Sequence, residues 1–469
     1  MEAYTGGVRI VSRRLVRPEP PASSQGGAKI ATLTPWDLQY ISVDYIQKGV
    51  LLPKPPTAGV VVADELASSF ARALGRFYPL AGRFAVTKII GGDGITRLAV
   101  SLCFSDDDEA GAEFIYAVAP EVTASDITGP VYSPATVLRS FFPMNGLLCG
   151  DAMLEPHPVL AAQVTELADA VFVAVALNHA AADGTTFWHF FNTWSEINRN
   201  GGSACELSTP PPVLDRWFPD TCAVPVALPY GKVEDIIRRV ESSSPPPVRE
   251  RFFHFSTESV KNLKAKANTE VFGIGNGVTA ATAISSFQVV LAHLWRAACR
   301  ARGLAPHRET TCLLPVGCRG RIKGLPEHYM GSAVALGVAK ATVSDVLSNG
   351  LSWTAWQLNQ AVASFDEAKT KGTLSSWHQK PHILYLEASG DPADMVIAAS
   401  PRFDVYGNDF GWGAPVAVRS GAGNKLDGVV TVYQGHEGGG SIGVEVCMSP
   451  EVLARLDADG EFMEAVHMA

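Results

Sequence analysis

An apolar run at residues 171–177 passes almost directly into an aromatic segment, and this order strongly limits how the chain can fold. The run is short and rich in valine, which predicts a buried β-strand. Residues 185–197 carry aromatic side chains at helical spacing, which predicts a helix packed by one face. The turn between them, His179-Ala-Ala-Ala-Asp183-Gly184, therefore joins a buried strand to a packed helix.

His179 in this turn is a candidate general base. An imidazole titrates near neutrality, so it can take a proton from a hydroxyl or amine nucleophile. Asp183 is the residue that could stiffen the turn. A histidine beside an apolar strand can equally be structural, and an Asp-Gly pair can be only a turn signal. The motif by itself leaves these alternatives open.

A Pro- and Gly-rich interval divides the chain near its middle. The 469 residues exceed one ordinary domain and predict two domains of about 200 residues each. Residues 201–248 contain Pro210-Pro-Pro212 and Ser242-Ser-Ser-Pro-Pro-Pro247 with weak periodicity, which predicts a long exposed crossover. We therefore expect an N-terminal domain at residues 1–200, the crossover at 201–248 and a C-terminal domain at 249–469.

Several further elements are predicted from local patterns. Residues 64–77 have apolar side chains at 3.6-residue spacing and predict an amphipathic helix. Residues 251–255 alternate as a strand does, and Ser256 is placed to cap a helix that includes residues 260–267. The segment Gly435-His-Glu-Gly-Gly-Gly440 is interpreted as a hairpin turn rather than a phosphate cradle.

Charge and cysteine content narrow the class of protein. The chain has 38 basic and 47 acidic residues, and its net charge of −9 argues against nucleic acid as a general partner. No uncharged apolar run reaches transmembrane length, and no secretory or peroxisomal signal is apparent. The eight cysteines form neither Cys-x-x-Cys pairs nor a zinc-type spacing, so we predict neither a disulfide framework nor a metal site. A cytoplasmic protein is expected.

A second motif, Asp409-Phe-Gly-Trp-Gly413, lies about 230 residues beyond His179. The two motifs together resemble the signature pair of the plant BAHD acyltransferases, HxxxD and DFGWG. Further segments resemble family elements in the same order: Leu33-Thr-Pro-Trp-Asp37, Phe77-Tyr-Pro-Leu-Ala-Gly-Arg83, Ile284-Ser-Ser-Phe-Gln288, Gly317-Cys-Arg-Gly-Arg321 and Tyr329-Met-Gly-Ser332. The resemblance covers essentially the whole chain. Phe141-Phe-Pro-Met-Asn-Gly146 and Ser400-Pro-Arg-Phe403 resemble a branch with a cuticle-related acyltransferase and uncharacterised acetyltransferase-like members.

This resemblance implies an α/β protein built from two similarly folded, chloramphenicol-acetyltransferase-like domains of mixed β-sheet with flanking helices. It also implies transfer of an acyl group from acyl-CoA to a hydroxyl group, or an amine, of a plant specialised or cuticle metabolite. Acyl-CoA would be a co-substrate, with no permanently bound cofactor, and the protein would be a monomer. A lyase that uses the same pocket without CoA and a catalytically silent binding protein are the alternatives.

The resemblance also assigns roles to individual residues. His179 would be the general base in a direct attack on the thioester, and Asp183 would pair with Arg319 or, alternatively, Arg321. The family assigns Asp409 a catalytic role as proton acceptor, whereas the residues themselves favour a tight loop held by the Asp409 carboxylate. The other residues expected to support the site are Gly184, Gly411, Trp412 and Gly413.

Contacts to coenzyme A and departures from the family pattern complete the expectations. Ser285 and Ser286 match hydroxyls that meet the pantetheine-diphosphate arm, and Lys264 could supply charge for a phosphate. Gly317 stands where the family has an aspartate, and Ser332 where it usually has an asparagine. These are supporting positions, so the reaction class that the resemblance implies is unchanged.

Overall fold

The computed structural model describes residues 7–19, 29–56, 59–90, 94–105, 111–202, 207–239, 247–271, 284–385 and 391–466. The elements before the crossover are β1 (Arg9–Val16), β2 (Lys29–Thr32), α1 (Pro35–Leu38), β3 (Ile46–Pro53), α2 (Val60–Arg76), a 3-10 helix (Tyr78–Ala81), β4 (Arg83–Ile90), β5 (Thr96–Phe104), β6 (Ala112–Ala119), α3 (Ala124–Thr128), α4 (Ala135–Ser140), α5 (Asp151–Leu154), β7 (Leu160–Leu167), β8 (Ala170–Leu177) and α6 (Gly184–Arg199).

The elements after the crossover begin with a strand, as predicted. They are β9 (Arg249–Phe255), α7 (Thr257–Val271), α8 (Ser286–Arg302), β10 (Glu309–Gly317), β11 (Val334–Thr342), α9 (Val343–Ser348), α10 (Gly350–Ala363), α11 (Glu367–Ser376), β12 (Met395–Ile397), β13 (Ala417–Ser420), β14 (Val429–Gln434), β15 (Ile442–Met448), α12 (Pro450–Asp457) and α13 (Gly460–Met463).

The first half is built around a mixed six-stranded sheet in the order β1-β6-β7-β8-β3-β13. Strand β8 lies inside this sheet and all its residues are buried, which explains its continuous apolar sequence. Helices α2 and α6 pack against each other, with the rings of Phe70 and Trp194 5.0 Å apart. The strand, the aromatic helix and the amphipathic helix predicted from the sequence are therefore all present.

The second half contains its own six-stranded sheet, in the order β11-β10-β12-β14-β15-β9. Helices α7, α8 and α10 contact one another, and Trp295 of α8 is fully buried, with its Nε1 donating to Thr310 Oγ1 at 2.9 Å. Ser256 Oγ accepts a hydrogen bond from the Ser259 N–H at 3.1 Å, so it caps α7 as predicted. The segment at residues 435–440 connects β14 and β15 as a hairpin.

One strand of the second half completes the sheet of the first half. β13 pairs antiparallel with β3, with Ala417 opposite Leu51 and Ser420 opposite Lys48. The predicted boundaries at residues 200 and 249 divide the chain by sequence position. The sheet of the first half nevertheless includes one strand, β13, from beyond residue 249.

The crossover differs from its predicted exposure. Its described part, residues 207–239, contains no helix or regular strand but forms bridges to both halves, Leu98 with Leu228 and Val213 with Tyr329. Leu228 and Ile236 are fully buried. Many other described residues of the crossover are exposed, so the segment is exposed in part and buried where these apolar side chains pack. Proline and glycine indicate a lack of regular structure, and they do not determine exposure. No described helix has both the length and the apolar composition needed to cross a membrane.

Candidate active site

Hydrogen bonds that involve Asn178 and Cys149 hold the turn after β8. Asn178 Nδ2 donates to the carbonyl oxygen of Cys149 at 2.9 Å, and its Oδ1 accepts from the Ala180 N–H at 3.0 Å. The His179 N–H itself donates to Cys149 Sγ at 3.1 Å. These hydrogen bonds fix the backbone of His179, and the backbone position in turn sets the direction of the imidazole.

The imidazole of His179 lies against the ring of Tyr40, with centroids 3.8 Å apart and planes 13° from parallel. Burial lowers the pKa of His179 below its usual 6.5, although nearby backbone groups and the charge of Asp183 oppose this shift. The buried Nδ1 makes no hydrogen bond of normal geometry to the described residues. The ring is therefore neutral near pH 7 and able to accept a proton.

The Asp183 side chain bonds to residues of the second half of the chain. One carboxylate oxygen lies 2.7 Å from Arg319 Nη1 and the other 3.2 Å from Nη2, so the pair is bidentate. The same carboxylate accepts from the N–H of Thr186 at the start of α6 and of Ala333. Burial alone would raise the pKa of Asp183, but Arg319 and these hydrogen bonds outweigh it and lower the pKa below 3.8.

Arg319, rather than Arg321, is the partner of Asp183. Arg321 is exposed and donates to the carbonyl of Gly317 at 2.7 Å. Arg319 also donates to the carbonyls of Tyr329 and Gly331, and this holds the following segment beside the turn. Ser332 Oγ then donates to the His179 carbonyl at 3.3 Å. Arg319 and Ser332 thus connect the second half of the chain to the turn that carries His179.

A second buried ion pair in this region was missed by the sequence analysis. Arg216 of the crossover lies 3.5 Å from the Asp37 carboxylate, with the two side chains 4% and 0% exposed. Arg216 also donates to the carbonyls of Ala181, within the HxxxD turn, and of Met330, each at 3.0 Å. The Ser332 N–H donates to Asp37 at 2.9 Å. No spacing in the sequence marks Arg216, since its partners are distant along the chain.

The DFGWG segment is a loop that closes on its own aspartate. Asp409 Oδ1 accepts from the N–H groups of Gly411, Trp412 and Gly413 at 2.7, 3.0 and 2.9 Å. Gly411 and Gly413 have φ angles of +100° and +105°, a conformation that residues with a side chain rarely adopt. Phe410 is buried, with its ring 5.0 Å from that of Trp194. The loop is therefore defined by local hydrogen bonds and anchored by one aromatic side chain.

The two motifs lie at opposite ends of α6. Asp183 caps its N-terminus, whereas Asn198, near its C-terminus, donates from Nδ2 to the Phe410 carbonyl at 2.7 Å. Fifteen residues of helix at 1.5 Å per residue separate these two contacts by roughly 22 Å. The structure thus does not bring Asp409 together with His179. Trp412 is half-buried and stacks on Phe410 at 6.0 Å.

Gly184 adjoins Asp183 at the end of the HxxxD turn, whereas the residues predicted to contact coenzyme A lie in the second half of the chain. Gly184 is the first residue of α6, and a Cβ at this position would lie 3.4 Å from the Phe403 ring. The remaining three predicted residues lie on or at the start of two contacting helices of the second half: Lys264 on α7, and Ser285 and Ser286 at the start of α8. The Ser285 hydroxyl accepts from the Gln288 N–H at 3.2 Å within a capping box, so this hydroxyl already has a structural role.

Comparison with known proteins identifies the family. The model of the Transferase family matches residues 7–463. An uncharacterized acetyltransferase of Arabidopsis thaliana is 35% identical to this chain over 97% of it and 99% of that protein. The BAHD acyltransferase DCR of Arabidopsis thaliana is 31% identical over 97% and 92% of the two chains. This chain belongs to the BAHD acyltransferase family.

Solved structures confirm the predicted architecture of this BAHD protein. The TRI101 protein of F. sporotrichioides, complexed with coenzyme A and T-2, superposes with a TM-score of 0.71 over 93% of this chain and 99% of that chain. Vinorine synthase superposes with a TM-score of 0.67 over 98% of each chain. Both are 17% identical to this chain, so the likeness shows the shared two-domain fold.

Proposed function

We propose that this BAHD family member transfers an acyl group from acyl-CoA to a hydroxyl group of a small plant metabolite, with His179 as the general base. The observation that carries the proposal is the environment of the His179 ring. Burial keeps the ring neutral, and hydrogen bonds from the crossover and from the second half of the chain hold the turn that carries it. A neutral, oriented imidazole is the group that a proton-removing step requires.

The reaction requires the protein to position the two substrates and to move one proton from the acceptor to the leaving thiolate. His179 takes the proton of the acceptor hydroxyl while the hydroxyl oxygen attacks the carbonyl carbon of the thioester. This attack forms a tetrahedral oxyanion. Collapse of this intermediate breaks the carbon–sulfur bond, and the imidazolium returns the proton to the departing CoA thiolate. Because a thioester is already activated, juxtaposition of the two substrates contributes much of the acceleration.

The remaining site residues act by position in this proposal. Asp183 and Arg319 hold the turn through their buried ion pair, and Asp409 holds the DFGWG loop through three backbone N–H groups. Lys264, Ser285 and Ser286 are the proposed contacts for coenzyme A, whose phosphates need local positive charge on a chain with a net charge of −9. The relative solved with coenzyme A bound supports acyl-CoA as the donor.

Thiol release is the experiment that tests this proposal. The purified protein would be mixed with acetyl-, malonyl-, hydroxycinnamoyl- and long-chain acyl-CoA, each with and without pooled plant alcohols and amines. Free CoA that depends on an acceptor, and that disappears in His179→Ala, is the expected result. Conversion of an acceptor without CoA would instead show a lyase, and binding without conversion would show a silent binding protein.

A further inference from the structure

Three side chains with metal-binding atoms meet in the second half, away from the HxxxD turn. His254 lies on β9, and His436 and Glu437 lie in the hairpin between β14 and β15. His254 Nε2 is 3.3 Å from Glu437 Oε1, and the two imidazole rings have centroids 4.4 Å apart. One donor atom from each of the three side chains lies within 4.8 Å of the others.

The fold brings these residues together by a defined route. β9 pairs antiparallel with β15, with His254 opposite Gly443, so the hairpin that precedes β15 lies beside β9. Gly438, Gly439 and Gly440 all have positive φ angles, which turn the loop back on itself. The Thr257 hydroxyl donates to the Gly438 carbonyl at 3.2 Å and holds the hairpin against the chain that follows β9.

The donor set has the chemistry of a transition-metal site. Two imidazoles and one carboxylate suit zinc and its neighbours, while calcium and magnesium prefer all-oxygen sites. With metal–ligand distances of about 2.0–2.2 Å, two ligand atoms of a tetrahedral zinc site lie about 3.3–3.6 Å apart. The 3.3 Å separation of His254 Nε2 and Glu437 Oε1 meets this requirement. His436 and Glu437 are exposed, so an ion could enter from solvent.

We propose that His254, His436 and Glu437 form a binding site for one zinc-type divalent ion, with the fourth coordination position left to water. The ion would join the hairpin to β9 at the edge of the second sheet. The His436 ring also lies edge-on to the Tyr406 ring, with centroids 6.5 Å apart. This function is independent of acyl transfer, since none of its three residues belongs to the HxxxD turn or to the proposed CoA contacts.

The chain supplies a matched control for this site. His157 Nε2 lies 3.3 Å from Glu155 Oε2, which reproduces the histidine–glutamate pair. That pair is not part of any group of three or more potential ligands among the described residues. If an isolated pair were enough to hold zinc, both places would bind it equally. The proposal requires that only the three-residue site does.

The test measures zinc binding and thermal stability on chelator-treated full-length protein. Calorimetric titration with Zn²⁺ should give one site, and Co²⁺ should produce visible absorption bands typical of imidazole ligation. His436→Ala and Glu437→Gln should each weaken Zn²⁺ binding by at least about tenfold, the lower end of the loss seen even for outer-shell partners of metal sites. His157→Ala should bind as the wild type does. Zn²⁺ should raise the melting temperature of the wild type and of His157→Ala, but not of His436→Ala.

Two results would overturn the proposal. The first is a wild-type protein that takes up no Zn²⁺. The second is a His436→Ala protein that binds Zn²⁺ as tightly as the wild type, which would place the ion elsewhere. Since His436 is exposed in a loop, its variant is expected to fold, and equal melting temperatures without metal would verify this. Thiol release is measured separately, so failure of the metal site and failure of acyl transfer are distinguishable.

Discussion

The HxxxD turn and the DFGWG loop lie at the two ends of α6, and each depends on an aspartate. Asp183 bonds one N–H at the start of α6 and shares its carboxylate with Arg319 from the other half of the chain. Asp409 uses one oxygen for three N–H groups of its own loop. Asp183 therefore joins the two halves of the chain next to the turn of His179, whereas Asp409 closes a local loop. The same residue type in two signature motifs serves two different physical purposes.

The largest effect is expected at His179. His179→Ala should reduce kcat by about 10²–10⁴-fold, the range for loss of a positioned general base, with an unchanged melting temperature. The exposed His307→Ala is the control and should retain wild-type turnover. A His179→Ala protein with near wild-type kcat would remove the base from the mechanism and make the turn a structural feature only.

The next effect concerns the ion pair between the halves. Arg319→Ala should lower the free energy of unfolding by about 3–5 kcal/mol, because it leaves the buried Asp183 charge without its partner. Activity should fall with stability. Arg321→Ala, which removes an exposed arginine of the same segment, should change neither quantity.

The contribution of this pair to stability also depends on pH. The pKa of Asp183 is lower in the folded protein than its usual 3.8. The stabilisation is therefore fully present above that value and lost as pH falls through the lower, folded-state pKa. Urea unfolding of the wild type and of Arg319→Ala across this acidic range should give free energies that converge as pH decreases. Parallel curves would contradict the assignment.

A smaller effect is expected for the loop. Asp409→Ala removes the acceptor of three backbone N–H groups and should lower the free energy of unfolding by about 1–3 kcal/mol. Asp404 is the matched control, since it is exposed in the same segment and its carboxylate accepts from one backbone N–H of the described residues, that of Gly407, at 2.9 Å. Asp404→Ala should cost less. Equal losses for the two variants would mean that the three-bond arrangement has no special role.

The smallest effect is a shift in the pH profile. Because burial lowers the pKa of His179, the acid limb of kcat/KM should lie below pH 6.5. Tyr40→Ala admits water to one face of the imidazole and should move this limb upward, toward 6.5. Tyr40→Phe keeps the stacked ring and should leave the limb in place. An identical limb in all three proteins would show that Tyr40 does not provide the burial.

Elements with a strong local pattern could be predicted from the sequence. Strand β8 is a continuous apolar run because it is buried throughout, and Phe190 and Trp194 of α6 pack against Phe70 of α2. The Asp183–Arg319 pair was expected from the family resemblance. The capping box at Ser285 also follows a local pattern, Ser-x-x-Gln, and it gives the hydroxyl a structural role in addition to the proposed contact with coenzyme A.

Contacts between segments that are distant in the sequence have no local pattern from which they could be predicted. β13 has four residues, too few for a periodic pattern, and its partner β3 lies in the other half of the chain. Arg216 stands in a proline-rich interval, and only the folded chain places it beside Asp37. His254 is likewise far in sequence from the hairpin that carries His436 and Glu437. These pairings depend on topology, which composition and spacing do not encode.

The most direct test of the difference between the two motifs compares turnover in Asp409→Asn and His179→Ala at saturating substrate. If Asp409 only ties its loop, the asparagine oxygen keeps part of the hydrogen bonding. Asp409→Asn should then retain a measurable kcat and the acid limb of the wild type, while His179→Ala loses about 10²–10⁴-fold. An Asp409→Asn protein that melts like the wild type yet turns over as slowly as His179→Ala would contradict the account and make Asp409 a second base.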